Sequence, residues 1–154
     1  MIVAERGATI TVRLRGWAMT TGMEGFAAGA GALAGRAQGL RAAVDSGQLV
    51  MDAEAAERVA KVYEDKAESL GDLISDSQRL VRRSVYGDCR IGSQLEQKFN
   101  EKVNGASGSP DAGLTPILRR MEQTLRSMAQ AYRDAARDTQ SNDEEQARQL
   151  GRSI

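Results

Sequence analysis

Apolar residues recur at Leu114, Leu118, Met121, Leu125, Met128, Tyr132, Ala135 and Thr139, in steps that alternate between four and three. That spacing draws one continuous stripe along an α-helix and closes on a seven-residue period. Thr115 followed by Pro116 supplies an N-cap and first-turn pair for this helix. The Ser141-Asn142-Asp143-Glu144 run is expected to bend or restart it before Ala147 and Leu150. A second stripe, Ala56, Val59, Tyr63, Ala67, Leu70, Ile74, Ser77 and Val81, is flanked by Val62, Leu73 and Leu80. Asp52 is placed to cap it, and no proline falls between Asp52 and Ser109. The pattern predicts a helix over 52–85, which at about 34 residues would be roughly 50 Å long. Gly71 in its middle reads as a close-packing point rather than a break.

Between the two stripes, Tyr86-Gly87-Asp88 is expected to stop the first helix. Ser93 and Glu96 form a capping box, and Ile91, Leu95, Phe99 and Val103 then recur every fourth residue. A short helix over 93–103 should therefore fold back onto the tip of the long pair, since its apolar ridge has nowhere else to go. Residues 104–113, with Gly105, Gly108, Pro110 and Gly113, read as an exposed loop.

A stripe on a long helix cannot be buried by that helix alone, so the pattern implies packing against another helix. The expected fold is all-α: a long antiparallel helical hairpin, about 52–85 and 115–140, with a short helix at the connection. Leu70, Leu73, Ile74, Leu80, Met121, Leu125, Met128 and Tyr132 should face inward. In a lone hairpin, Val62, Ile74, Ile117 and Ala131 would stay half covered. A second hairpin would bury them in a dimeric four-helix bundle. The interaction seam expected on this basis is Val62, Leu70, Leu73, Ile74, Ile117, Met121, Leu125 and Met128.

The first 47 residues break the pattern. Ile10, Val12 and Leu14 alternate with polar neighbours and would suit a short strand, although nothing offers it a partner. Met19 and Met23 are alternative starts, so the leader is expected to be an extension or a disordered tail. Across 20–47, Gly22, Gly25, Gly29, Gly31, Gly35 and Gly39 punctuate an alanine-rich run, each internal glycine costing ~1 kcal/mol of helix propensity. A short helix near Gly35–Val44, or no helix at all, is the expectation. The chain thus divides into an extension over 1–47 and a helical domain over 48–154. Glu24, Arg36 and Arg41 interrupt the apolar run well short of the ~20 residues a membrane span needs, and Glu24 also argues against a cleaved signal peptide. A membrane-surface role for Gly22–Val44 is a third functional alternative, testable by liposome co-sedimentation.

Composition narrows the chemistry. The 154 residues carry 21 basic and 21 acidic side chains, spread evenly, so there is no phosphate-tracking stripe and no case for a nucleic-acid partner. Histidine is absent, which removes the commonest general base and the commonest metal ligand together. Cys89 is the lone cysteine; beside Arg90 at a helix start its thiol could be activated, but an inert thiol is the better reading without a base. Carboxylates such as Glu57, Glu64 and Glu68 fall among Arg and Lys at helical spacings and read as a solvated face. No catalytic residue, metal site or cofactor is expected, and the chain reads as a non-enzymatic interaction protein.

Residues 48–150 resemble the WXG100 superfamily of type VII (ESX) secretion systems, in its divergent actinobacterial form. Leu49-Val50-Met51-Asp52-Ala53-Glu54-Ala55 is similar to that family's helix opening. Tyr86-Gly87-Asp88-Cys89-Arg90-Ile91-Gly92, with Leu95 and Phe99, is similar to its turn, and Leu125–Ala136 to its second helix. The turn motif would comprise Tyr86, Gly87, Gly92 and Phe99. Val85-Tyr86-Gly87 stands where the family has Trp-x-Gly, and Trp17 lies elsewhere. The Tyr-x-x-x-acid export signal is degenerate: Tyr132 is followed four residues later by Ala136, and Asp143 is preceded four residues earlier by Thr139. The resemblance implies a secreted or cell-surface helical-hairpin protein. Its partner would be itself, another WXG100-like chain or a larger secreted protein, and a type VII motor would export it. The alternative is a cytoplasmic adaptor that binds a partner helix without export.

Overall fold

The computed structural model describes residues 20–81, 86–87 and 89–152. The possible strand over 9–15, Trp17 and Val85 lie outside them. The described residues are helical: α1 (Thr20–Asp45), α2 (Ala53–Arg79), α3 (Arg90–Asn104), a single 3-10 turn (Pro110–Ala112) and α4 (Leu114–Gly151). No strand occurs among them; the nearest thing to one is an isolated bridge between Ala106 and Ser109.

α4 is the helix on which the others rest: α2 and α1 both pack along it, and α3 touches its start. Contacts fix the directions. Ser77 meets Thr115, Tyr63 meets Tyr132, and Glu57 meets Arg133, so rising numbers on α2 pair with falling numbers on α4 and the two run antiparallel. On α1, Arg41 reaches Asp134 and Val44 packs with Ala131 and Ala135, while Met23 lies beside α3 at the other end. α1 therefore runs parallel to α4.

The seams are built from small residues. Ala56, Ala60 and Ala67 are buried on α2, and Ala129, Ala131, Ala135 and Ala136 on α4. At 100° per residue, Ala129 and Ala136 lie on the side of α4 toward α2, and Ala131 and Ala135 on the side toward α1. Small side chains let backbones approach closely, so each seam gains dispersion contacts along its length. Met128, Ile117 and Leu118 are the large buried side chains of α4. Met121, Leu125 and Tyr132, in the middle of the predicted stripe, are half-buried.

Several sequence expectations are corrected. The glycine-rich stretch forms one uninterrupted helix from Thr20 to Asp45, not a short one near Gly35–Val44. Its Phe26, Ala30, Leu33, Ala37, Leu40 and Val44 recur on one face, and packing of that face against α4 overrides the weak glycine propensity. As α1 covers that side of α4, Ile117 and Ala131 are already buried, and Ile74 of α2 is buried where α2 meets α4. None of the three is left half covered. Leu73 and Leu80, expected inward, are 52% and 50% exposed, and Val62 is 57% exposed. α2 turns its alanine row to α4 and its larger aliphatic row away from it.

The ends differ as well. Asp52 caps α2 as expected, its carboxylate accepting from the Ala55 amide at 2.8 Å. α2 ends at Arg79, short of 85. α3 starts at Arg90, with Cys89 Sγ accepting from the Gly92 amide at 3.3 Å, so Ser93 and Glu96 lie inside the helix and do not cap it. α4 starts at Leu114 with Gly113 at the cap, and Thr115 is buried rather than capping. No bend occurs at 141–144; α4 continues to Gly151, with Leu150 exposed. The 104–113 loop is tighter than expected. Gly105, at φ 94°, lies against the Pro110 backbone where a Cβ would collide, and Gly113 abuts Gly105 in turn.

The packing predicts opposite outcomes for two enlargements on α2. Ala67 is fully buried, so Ala67→Leu should overpack the seam and lower the urea unfolding free energy by about 1–3 kcal/mol. A Cβ at Gly71 would meet no atom within 4 Å, so Gly71→Ala should raise stability by up to about 1 kcal/mol. Destabilisation by Gly71→Ala together with tolerance of Ala67→Leu would reverse the assigned face.

Candidate interaction surface

The α2–α4 pair is held in register by polar contacts along its length. Arg133 on α4 spans two carboxylates seven residues apart on α2. Its Nε and Nη2 donate to Glu57 at 2.8 and 2.7 Å, and its Nη1 and Nη2 donate to Glu64 at 2.5 and 2.9 Å. A guanidinium fork suits this arrangement, because its planar donors can serve two acceptors at once. Hydrogen bonds from Arg133 hold both glutamates below their usual range, and those glutamates in turn raise Arg133.

Next to this clamp on both helices, Tyr63 and Tyr132 stack with ring centroids 5.6 Å apart and planes 18° apart. Burial, with help from Tyr63, raises the Tyr132 phenol. Near the start of α4, Ser77 Oγ donates to the Ile74 carbonyl at 2.7 Å, so its single proton is committed. The buried 2.8 Å contact with Thr115 is therefore made by the threonine hydroxyl donating to Ser77. α1 is tied on through Arg41, which donates to Asp134 at 2.7 Å. Gln130 first, and then Arg41, lower the Asp134 carboxyl.

These contacts absorb part of the expected export signal. Tyr132 is half-buried in the tyrosine stack, and Thr139 turns inward, donating to the Ala135 carbonyl at 2.8 Å and accepting from the Met51 amide at 3.4 Å. Only Asp143 stands in solvent. In the expected turn motif, Gly87 adopts φ 80° and Gly92 is buried where a Cβ would strike the Tyr86 and Gly87 carbonyls. That close approach explains the second glycine. Tyr86 itself is exposed.

The ridge of α3 does not fold onto the tip of the α2–α4 pair as expected. Ile91 is 77% exposed and Phe99 38% exposed, while Val103 is buried. Leu95 and Phe99 instead line an apolar hollow of about 420 Å³ with Met23 of α1 and Ala112. The reason is rotational: starting α3 at Arg90 and pinning Gly92 against the turn directs the ridge toward α1.

Besides the exposed Ile91 and Leu95 of α3, large apolar side chains are left in solvent along the outer row of α2. Val62, Leu73 and Leu80 stand in solvent, with half-buried Val59 and Leu70 beside them. Of the expected seam residues, Ile74, Ile117 and Met128 are buried within the chain, Leu70, Met121 and Leu125 are half-buried, and Val62 and Leu73 are available. Sequence reasoning named both available residues, but turned Leu73 inward against α4, where it is exposed, while leaving Val62 half covered for a second hairpin. Among the described residues no group of three or more acidic, cysteine or histidine side chains could hold a metal ion, and no helix is long and apolar enough to cross a membrane. Cys89 is exposed and serves as the α3 cap. No family model, no curated protein and no solved structure matches the chain.

The Arg133 clamp predicts an acid-side loss of stability. Glu57 and Glu64 titrate lower folded than unfolded, so their contribution is complete above the ordinary glutamate value of 4.5 and is lost as pH falls through their folded values. The Glu57→Gln/Glu64→Gln variant should be less stable than the parent at neutral pH and should lose less on acidification. Thermal midpoints measured from neutral pH to about pH 2 provide the check. Parallel profiles for the two proteins would show that the clamp contributes nothing.

Proposed function

We propose that this chain is a non-enzymatic helical interaction protein that binds a partner helix through apolar helix surface. The observation that carries the reading is the row of large aliphatic side chains left in solvent on α2 while alanines fill the internal seam. Apolar side chains aligned at helical spacing on one exposed face match the pattern by which a groove or partner helix engages an amphipathic helix. The finer reading is a WXG100-like protein of the type VII secretion class, with the α2–α4 pair as its helical hairpin and a four-helix bundle formed by dimerisation or with a larger secreted protein. Its support is the similarity of residues 48–150 to that family's helix opening, turn and second helix.

The second reading, an adaptor that binds a helix without export, is favoured by one observation. Tyr132 and Thr139, two members of the degenerate export signal, are engaged in internal contacts. Secretion separates the two. Expressed with a tag in a type VII-competent host, the protein should appear in the medium when the motor ATPase is intact and stay in the cells when it is deleted. Retention in both strains would overturn the secretion reading and leave the adaptor; equal release from both would contradict each.

A further inference from the structure

The outer face of α2 carries a second seven-residue pattern, distinct from the one that meets α4. Val62, Lys66, Ser69, Leu73, Asp76 and Leu80 follow one another in steps of four, three, four, three and four. All six belong to the solvent-facing side of the helix except where they continue its row past the last turn, and all are exposed. The strip extends over roughly 27 Å at 1.5 Å per residue. Apolar Val62, Leu73 and Leu80 alternate with one cation, one serine and one anion, Lys66, Ser69 and Asp76.

We propose that this strip is a homodimerisation seam, in which α2 of one copy pairs antiparallel with α2 of a second copy about a two-fold axis that crosses the strip at the level of Gly71, between Ser69 and Leu73. This rests on the reading of the chain as a helical interaction protein and names the partner as the chain itself. Charge complementarity selects the arrangement. With the axis at the level of Gly71, Val62 lies opposite the second copy's Leu80, Ser69 opposite its Leu73, and Lys66 opposite its Asp76. Each pairing occurs twice by symmetry. A parallel pairing in register would set Lys66 against Lys66 and Asp76 against Asp76. Sliding the antiparallel pair by one heptad toward the helix start would set Lys66 against Ser69 and leave Asp76 against Val59. Of these arrangements, the stated register matches both charges and sets Val62 against Leu80 at each end.

The charged groups are available for this. Lys66 has no ion pair among the described residues, and Asp76 makes only an exposed 3.3 Å contact with Arg79, three residues on in the same helix. Exposed pairs of that kind contribute little, so exchanging Arg79 for a lysine across the seam costs little. The ion clamp of Arg133 to Glu57 and Glu64 and the buried alanine row lie on other sides of α2, so the seam leaves the internal packing untouched. Polar residues within such a seam set register and orientation, as they do in coiled coils.

Sedimentation equilibrium of the full chain at micromolar concentration tests the seam through charge reversal. The wild-type chain should dimerise. Lys66→Asp and Asp76→Lys should each weaken self-association by about tenfold or more, since each places two like-charged pairs across the interface. An equimolar mixture of the two variants should form a heterodimer within about threefold of the wild-type affinity, because every pair is again of opposite sign. Recovery in the mixture also shows that both variants are folded. A wild-type dimer whose affinity neither reversal changes would overturn the α2 seam while leaving the interaction-protein reading intact. A wild-type monomer would overturn the seam too, with that broader reading still judged by motor-dependent secretion.

Discussion

The close approach of α2 and α1 to α4 is the constraint on which the rest of the molecule depends. Two rows of alanine on α4 face two different neighbours, and α2 answers with alanines of its own. Without aromatic bulk the chain cannot fill a wide core, with only two Phe, three Tyr and one Trp in its length. It brings backbones together instead. Narrow seams have a consequence for the larger side chains: an alanine row and an aliphatic row on the same helix cannot both face α4. On α2 the alanine row wins, and Val62, Leu73 and Leu80 are left for something else.

Polar contacts then fix what apolar seams leave loose. Alanine surfaces can slide, because one methyl looks like the next. The fork of Arg133 to Glu57 and Glu64, the tyrosine stack and the Ser77–Thr115 hydrogen bond each accept one axial register only. Together they fix the register and rotation of α2 against α4, and so decide which of its rows points outward.

The helical character was legible because it rests on period and capping. The Leu114–Thr139 stripe marks α4, and Asp52 marks the start of α2 within one residue of where the helix begins. Rotation was not legible to the same degree. Hydrophobicity ranks Leu73 and Leu80 above Ala60 and Ala67 as core residues, whereas close packing ranks them the other way. α1 was underestimated because summed glycine propensity speaks against a helix that tertiary contact with α4 supports. The Cys89 cap was hidden by a more conventional signal at Ser93 and Glu96, since a sulfur acceptor is a weak one and is not looked for at that position. Of the candidate surface, Val62 and Leu73 were named from the sequence, while their exposure required knowing which row of α2 the alanines had taken.

Native-state hydrogen exchange followed residue by residue by NMR tests the central place of α4 most directly. If α4 is the shared support, amides over Ile117–Ala136 should exchange only through global unfolding, while α1 opens at lower free energy and leaves α4 protected against α2. Exchange over Ile117–Ala136 that is as fast as in α1, or opening of α2 and α4 with α1 still protected, would contradict it.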